Sequence, residues 1–178
     1  MFRGPVIGPL VKKDITNTVG SVTPEDSFTN FTSNAFGFSV DPIEPNRVWW
    51  FERARGTFSR PYDHPVFGLI EPNNKDVIAP PEERSVTWKE SNKKIKYMSV
   101  GYVTDRFTND TTNGMGAIFG LMHHMGIQID GDVGSPITVF LQWLSSVMPE
   151  GSTEIPKSYS KEDDIPAWWT ESRRGAQK

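Results

Sequence analysis

Proline is the sequence feature that most limits the folds open to this chain. It locks one backbone dihedral, has no amide hydrogen to donate, and disfavours the helical conformation of the residue before it. The chain of 178 residues contains 14 prolines, and five of them fall within residues 61–84. We therefore expect this stretch to be a meandering surface segment, because neither a helix nor a central strand tolerates such a density of proline.

The first 45 residues are predicted to form an extended N-terminal arm. Residues 1–45 are rich in serine, threonine, asparagine and proline, and they show no sustained helical period. Phenylalanine is unfavourable in water, and Phe36 and Phe38 alternate around Gly37, which suits a short strand or an edge contact. Two interpretations stay open: an arm that lies on a neighbouring subunit, and a loop-rich part of the same core.

A compact core domain is predicted for residues 46–151, followed by a polar C-terminal tail over residues 152–178. The tail carries a charged KEDD run and then the sequence IPAWW. Its Trp168 and Trp169 are predicted to anchor an otherwise solvated segment, since large aromatic side chains lose most by staying in water.

Two strands and a turn are predicted between residues 85 and 107. In SVTWKE, Val86 and Trp88 fall on one face and the intervening polar residues on the other, which is the alternation of a half-buried strand. KYMSVGYV alternates in the same way, and the SNKK before it supplies a turn. An antiparallel hairpin is therefore expected here.

Two short helices are predicted after this hairpin. The first covers residues 114–125, where apolar residues recur at helical spacing and Asn113 can act as the N-terminal cap. The second covers residues 136–148, with Ser135 as its cap and Pro136 at the first helical position. A strand through ITVFLQW competes with the second helix, because two of its residues are β-branched.

These elements together predict an α+β fold. It consists of a small antiparallel sheet with two short helices and long extended N- and C-terminal arms. The alternative is an all-β sandwich or jelly roll, which requires ITVFLQW to be a strand.

No catalytic apparatus is recognisable in the chain. It contains no cysteine, which excludes thiol catalysis, disulfides and zinc–thiolate sites. His123 and His124 are adjacent, so on a helix they point about 100° apart and cannot form a metalloprotease pair. A metal site built from His124, Asp130 and Asp132 is the enzymatic alternative, although Asp-Gly pairs more often form turns. We predict no enzymatic activity, no cofactor and no metal.

The segment NRVWWFERARGTFSR, residues 46–60, is the best candidate for a binding surface. Arginine stacks on aromatic rings and binds carboxylates or phosphates, and tryptophan and arginine dominate interface hot spots. A protein interface is favoured, and internal pairing of an arginine with Glu52 is an alternative. Nucleic acid is a further alternative that the net charge of −3 disfavours. The residues predicted at the interface are Phe36, Phe38, Trp49, Trp50, Arg53, Arg55, Trp168 and Trp169.

These features predict a structural subunit of a large assembly, chiefly a virion or phage particle component, that acts through protein–protein contacts of its arms. The predicted partners are other subunits of that assembly, including copies of the same chain, and the predicted location is the virion. The alternatives are an accessory subunit of an intracellular complex, such as a ribosome or respiratory enzyme, and a small metal-dependent enzyme. No membrane span is expected, because no stretch reaches the roughly 18–20 apolar residues that cross a bilayer.

Overall fold

Strands dominate the fold, which we describe from a computed structural model. The structure describes residues 2–3, 12, 23–64, 67–128 and 135–147. Within these ranges ten strands form three sheets, and three helices accompany them. The strands are β1 (Phe2–Arg3), β2 (Phe28–Thr32), β3 (Ala35–Val40), β4 (Arg47–Glu52), β5 (Arg55–Phe58), β6 (Tyr62–His64), β7 (Gly68–Ile70), β8 (Asp76–Ile78), β9 (Glu82–Lys89) and β10 (Lys94–Val103), and the helices are α1 (Pro24–Ser27), α2 (Ala117–His124) and α3 (Pro136–Val147).

The largest sheet has five strands in the order β1-β10-β9-β4-β3. All neighbouring strands run antiparallel except β1, which pairs in parallel with β10. The predicted hairpin is confirmed: β9 and β10 are joined by a turn at residues 90–93. β3 lies at one edge of this sheet, so one side of its backbone has no neighbouring strand among the described residues.

A β-bulge interrupts this edge strand. Phe36 pairs with Phe51 and Ser39 with Trp49, so β3 uses one more residue than β4 between the two pairs. Gly37 has φ +67°, the left-handed conformation that glycine adopts without steric penalty. A bulge breaks the regular spacing of the outward backbone donors and acceptors, and proteins use it to prevent uncontrolled pairing at sheet edges.

The hydrophobic core lies between the three-stranded sheet β2-β5-β8 and α2. Phe28, Phe58 and Val77 from this sheet are buried against Leu121 and Met125 from the helix and its C-terminal end. The rings of Phe28 and Phe58 lie 5.2 Å apart. Burying each of these side chains contributes about 1.5–3 kcal/mol, so the sheet and helix form the main stabilised unit of the described chain. A two-stranded sheet, β6-β7, completes the strand pairing.

The helix predicted over residues 114–125 forms, but it begins at Ala117. The preceding residues form a turn instead, in which the Thr112 hydroxyl donates to the Met115 carbonyl at 2.7 Å. The start of α2 has no cap from its own N-terminal side chain; the carboxylate of Glu82 accepts from the Ala117 amide at 2.7 Å. The cap therefore comes from a distant strand, which no local sequence pattern predicts.

The second predicted helix is confirmed as α3, over Pro136–Val147. Residue 148, the last in the predicted range, lies outside the described residues. Pro136 occupies the first helical position, where its missing amide hydrogen leaves no intrahelical bond unmade.

The α+β prediction is wrong, because strands in three sheets make up most of the described fold. The α+β prediction included an extended arm formed by residues 1–45. Within them, β2 pairs with β5 and β3 pairs with β4. β2 has its partner far along the chain, and β3 forms a hairpin with β4 in which the bulge interrupts the regular alternation of a strand, so neither has a clear local signal. The strand-rich fold is consistent with the all-β alternative. The predicted C-terminal arm, residues 152–178, lies outside the described residues.

The expectation of a meandering surface segment at 61–84 is only partly right: residues 67–76 contain no buried residue, but the stretch is more regular than expected. This stretch contains β6, β7, β8 and the start of β9, and Val77, Ala79 and Pro80 are buried. β6, β7 and β8 have three residues each, and none of the described prolines lies inside a strand. The prolines therefore separate strands without removing hydrogen bonds from any of them.

Candidate protein interface

The two faces of the five-stranded sheet carry opposite chemistry. Side chains alternate between faces along a strand, and residues paired in register share a face. Arg47, Thr87 and Tyr97 form one such row, and Ser85 and Ser99 lie in the next row on the same side. All five are buried, with at most 8% of each residue exposed. We call this set the polar face.

Hydrogen bonds and ring contacts hold the polar face together. The Arg47 guanidinium donates from Nε and Nη2 to the Ser85 hydroxyl oxygen, at 3.1 and 2.8 Å. Ser85 and Ser99 hydroxyls lie 2.6 Å apart. The guanidinium carbon also lies 3.9 Å from the ring centroid of Trp49 and 5.1 Å from that of Tyr97, which is cation–π geometry. The Arg47 Nη1 also lies 3.5 Å from a Glu44 carboxylate oxygen, so the buried charge has one anionic partner beside its polar and aromatic neighbours.

The opposite side of the same sheet is apolar. Val40, Val48, Val86 and Met98 are paired in register across four strands and form a continuous row. None of them is buried, and Val40 is 60% exposed. We call this surface the open face; it consists of this row together with Trp88, Ile95, Phe38 and Trp50.

The remaining members of the open face extend the row on two sides. Trp88 pairs with Ile95, which is 59% exposed. At the edge of the sheet, the rings of Phe38 and Trp50 stack 6.0 Å apart with an interplanar angle of 14°. Phe38 is 64% exposed. Offset ring pairs of this kind present a large and rigid apolar area.

Three charged residues bound the open face at one end. The Arg84 Nε lies 2.9 Å from a Glu52 carboxylate oxygen, and Arg84 Nη2 lies 3.4 Å from Glu82. Burial raises the pKa of Glu82, against the opposing effect of its hydrogen bond from the amide of Ala117. Glu52 also accepts a hydrogen bond from the Trp50 indole at 2.9 Å. These charges are paired with one another, so the apolar surface beside them is not interrupted by an isolated charge.

Asp41 organises the turn that joins β3 to β4. Its carboxylate accepts hydrogen bonds from the amides of Ile43 and Glu44, both at 2.8 Å, and from the Trp49 indole at 2.7 Å. The bond from the Glu44 amide, with those from Trp49 and Ile43, lowers the pKa of Asp41 to about 2. The turn keeps β3 aligned with β4, and this alignment places Phe38 over Trp50.

The predicted interface residues do not form one cluster. Phe38 and Trp50 lie on the open face, whereas Trp49 packs under Arg47 on the polar side. Phe36 is 48% exposed and stacks on Phe51, with ring centroids 5.7 Å apart.

The two arginines of the predicted interface have different surroundings from each other. Arg53 donates from Nε to the Ala79 carbonyl at 3.2 Å and from Nη2 to the Asn109 carbonyl at 3.3 Å. Arg55 is exposed on β5. Arg47 is buried and Arg53 donates to backbone carbonyls, so only Arg55 and Arg60 of this segment are exposed. Trp168 and Trp169 lie outside the described residues.

The proposed metal ligands are only partly within the described chain. Asp130 and Asp132 lie outside it, and His124 bonds locally: its Nδ1 lies 3.4 Å from the Thr111 hydroxyl and its Nε2 lies 3.2 Å from the Lys75 carbonyl. In the ranges that the structure covers, no three histidines or carboxylates are grouped as a metal site. The helices described here also include none with the length and apolar character required to cross a bilayer.

Most residues of the open face were not predicted as interface residues. The alternation of Val86 and Trp88 was visible in the sequence, but alternation predicts an apolar face that packs inward. Only the structure reveals that this apolar face is the less buried one among the described residues. The exposed pair of Phe38 and Trp50 is the part that aromatic composition could predict.

Comparison of the chain with known protein families, with characterised proteins and with solved structures yields no match.

Proposed function

We propose that this protein is a structural subunit of a multi-chain assembly, a virion or phage particle component, and that it binds neighbouring subunits through the open face. The observation that supports this proposal is the inverted polarity of the five-stranded sheet. Its polar face is buried, whereas among the described residues its apolar face is exposed at Phe38, Val40 and Ile95 and half-buried at its other members.

Within the described part of the chain, this arrangement leaves apolar side chains in contact with water. A sheet with one covered face normally covers the apolar side and leaves the polar side in water. Full burial of a Val, Ile or Met side chain contributes about 1.5–3 kcal/mol. Binding of a partner that covers the open face is therefore favourable, because it removes these side chains from water. Large exposed apolar patches are typical of such contacts.

The contact is made by side chains and not by extension of the sheet. The bulge at Gly37 disturbs the outward backbone groups of β3, so a neighbouring strand could not pair along its full length. The stacked rings of Phe38 and Trp50 stand beside this protected edge. A surface of this kind favours side-chain packing with defined geometry over open-ended strand addition.

The virion setting rests on the organisation of the sequence. The chain combines many prolines with scattered exposed aromatics, and it has no cysteine and no recognisable catalytic set. Fractionation of native source material tests the setting: the protein is expected to sediment with nuclease-protected particles. Sedimentation with ribosomes or respiratory complexes would contradict the virion assignment and support the intracellular alternative.

Sedimentation velocity of the purified chain tests the interface. We expect wild type to form species heavier than the 20.1 kDa single chain in the micromolar range. Phe38→Asp and Val40→Asp place a charge at exposed positions of the open face and should return the protein to a monomer. Their circular dichroism spectra should be unchanged, because both side chains are already mostly in water.

Phe107→Asp is the matched control. Phe107 is 98% exposed and lies outside the five-stranded sheet, so this variant should assemble as wild type does. A wild type that stays monomeric at every concentration would contradict the proposal. So would equal assembly of all three variants.

A further inference from the structure

The helix α3 carries a second exposed apolar surface. Ile137, Phe140 and Val147 are 57%, 56% and 58% exposed. Their spacing of three and seven residues places them along one side of a helix, together with Leu144. The ring of Phe140 lies 5.9 Å from that of Trp143, which is also more than half exposed.

This helix has no charged residue. The sequence PITVFLQWLSSV contains neither lysine nor arginine, and neither aspartate nor glutamate. Helices that lie on membrane surfaces typically carry lysine and arginine along the polar side. The composition of α3 instead suits a neutral, apolar protein surface, where no charge has to be desolvated.

The open face matches these requirements in chemistry and in length. Val40, Val48, Val86 and Met98 are uncharged, and the neighbouring charges are paired with one another. At about 4.8 Å between strands, this row spans roughly 14 Å. The 12 residues of α3 span about 18 Å at 1.5 Å per residue. The helix is long enough to cover the whole row.

We propose that α3 of one copy packs on the open face of a second copy of the same chain. This inference rests on the proposed function and names the partner of its interface. Both surfaces are exposed in the same chain at the same time: Phe140 on the helix and Val40 and Ile95 on the sheet are each more than half exposed. Among the described residues neither surface covers the other, and in the proposed contact each meets a neighbouring copy.

Such a contact joins two different surfaces of identical chains. In a dimer with a two-fold axis, the helix of each subunit covers the open face of the other. In a larger assembly, the subunits can form a closed ring in which each helix covers the open face of the next subunit. Both arrangements leave no open surface at the end. A contact of this kind whose rotation does not close would instead extend into a filament.

Disulfide crosslinking tests the contact directly, because the natural chain has no cysteine and each introduced thiol is unique. Phe140→Cys in a size-tagged chain is mixed with Val48→Cys in an untagged chain and oxidised. Docking brings the two positions within the roughly 7 Å between Cα atoms that a disulfide spans. The mixed dimer should form about a hundredfold faster than with Phe107→Cys in place of Val48→Cys, because docking raises the local thiol concentration.

Each other product contradicts the inference. A dimer joined only through Phe140→Cys in both chains would mean that the helices pair with each other. A Val48→Cys/Phe140→Cys double variant that closes within one chain at high dilution would mean that α3 covers its own sheet.

The same experiment separates the inference from the proposed function. No mixed dimer from chains that still assemble, as judged by sedimentation, would overturn the inference and leave the proposed function standing. Failure of wild type to assemble at all would overturn the proposed function itself.

Discussion

Asp41 shows how a single side chain positions the edge of the candidate interface. Its two backbone bonds fix the turn, and its bond to the Trp49 indole ties that turn to β4. The carboxylate is ionised in this arrangement, because all three donors favour its charged form. A group with this environment makes the stability of the turn depend on pH.

The lowered pKa of Asp41 determines the sign of that dependence. The pKa falls from 3.8 to about 2 on folding, so Asp41 stabilises the folded chain above pH 3.8 and this contribution is lost as the pH falls to about 2. In Asp41→Asn we expect lower stability near neutral pH and a smaller decline across that acid range. Urea denaturation at a series of pH values measures both effects.

Trp49→Phe is the companion variant for this prediction. It removes one of the three donors and leaves the two backbone bonds, so its acid decline should lie between those of wild type and Asp41→Asn. Parallel acid profiles for all three proteins would show that Asp41 does not link protonation to folding.

At the scale of elements, the start of α2 is fitted closely against β9 and β10. A Cβ atom placed on Gly116 would lie 2.7 Å from the Val103 Cγ2 and 3.2 Å from the Glu82 Cδ. Gly116 has φ −97° and ψ 170°, a conformation that any residue adopts. Glycine is required at this position by space and not by backbone geometry.

Gly116→Ala should therefore destabilise the fold by about 1–3 kcal/mol, the usual range for overpacking. Val103 cannot easily turn away, because its β-branched side chain has few rotamers. Urea denaturation measures the loss.

The double variant Gly116→Ala/Val103→Ala removes the methyl group that the new Cβ meets. Its destabilisation should be smaller than the sum of the two single effects, as expected for residues in contact. Strict additivity would mean that the clash with Val103 is not the cause.

Elements with local signals were predictable, and elements defined by distant partners were not. The β9–β10 hairpin follows from strict alternation and a turn of four residues, and α3 follows from a cap, Pro136 and a helical period. β2 forms because the distant strand β5 pairs with it. The cap of α2 likewise comes from Glu82 on another element. Such long-range contacts leave no pattern within a short window of sequence.

The candidate interface was predictable only in its aromatic part, for a related reason. Phe38 and Trp50 were recognised as interface residues from composition and now lie stacked on the open face. Val48 and Val86 resemble core residues of an ordinary strand. Whether a given apolar face is covered depends on what the rest of the chain packs against, and alternation alone does not determine it.

At the scale of the whole molecule, the described chain has two regions with different physical roles. The β2-β5-β8 sheet and α2 bury an aromatic core and supply stability. The five-stranded sheet buries an arginine and hydroxyl groups on one side, and on the other its valines, methionine and tryptophans are half-buried or exposed among the described residues. The second region is organised for contact with another surface, and the charge-free helix α3 has the complementary character.

An interface formed in this way should respond to solvent as an apolar contact does. Its surfaces carry no unpaired charge, so we expect the dissociation constant of the wild-type assembly to change by less than about twofold over a tenfold rise in sodium chloride. Sulfate should strengthen assembly and cooling should weaken it, because both act on the hydrophobic contribution. Sedimentation velocity at varied salt and temperature measures these responses.

Assembly held together by arginine contacts to nucleic acid would instead weaken about a thousandfold or more as salt rises, and nuclease treatment would dissociate it. That result would assign the interface to the arginines of residues 46–60. An assembly that does not respond to salt and weakens on cooling would assign it to the open face.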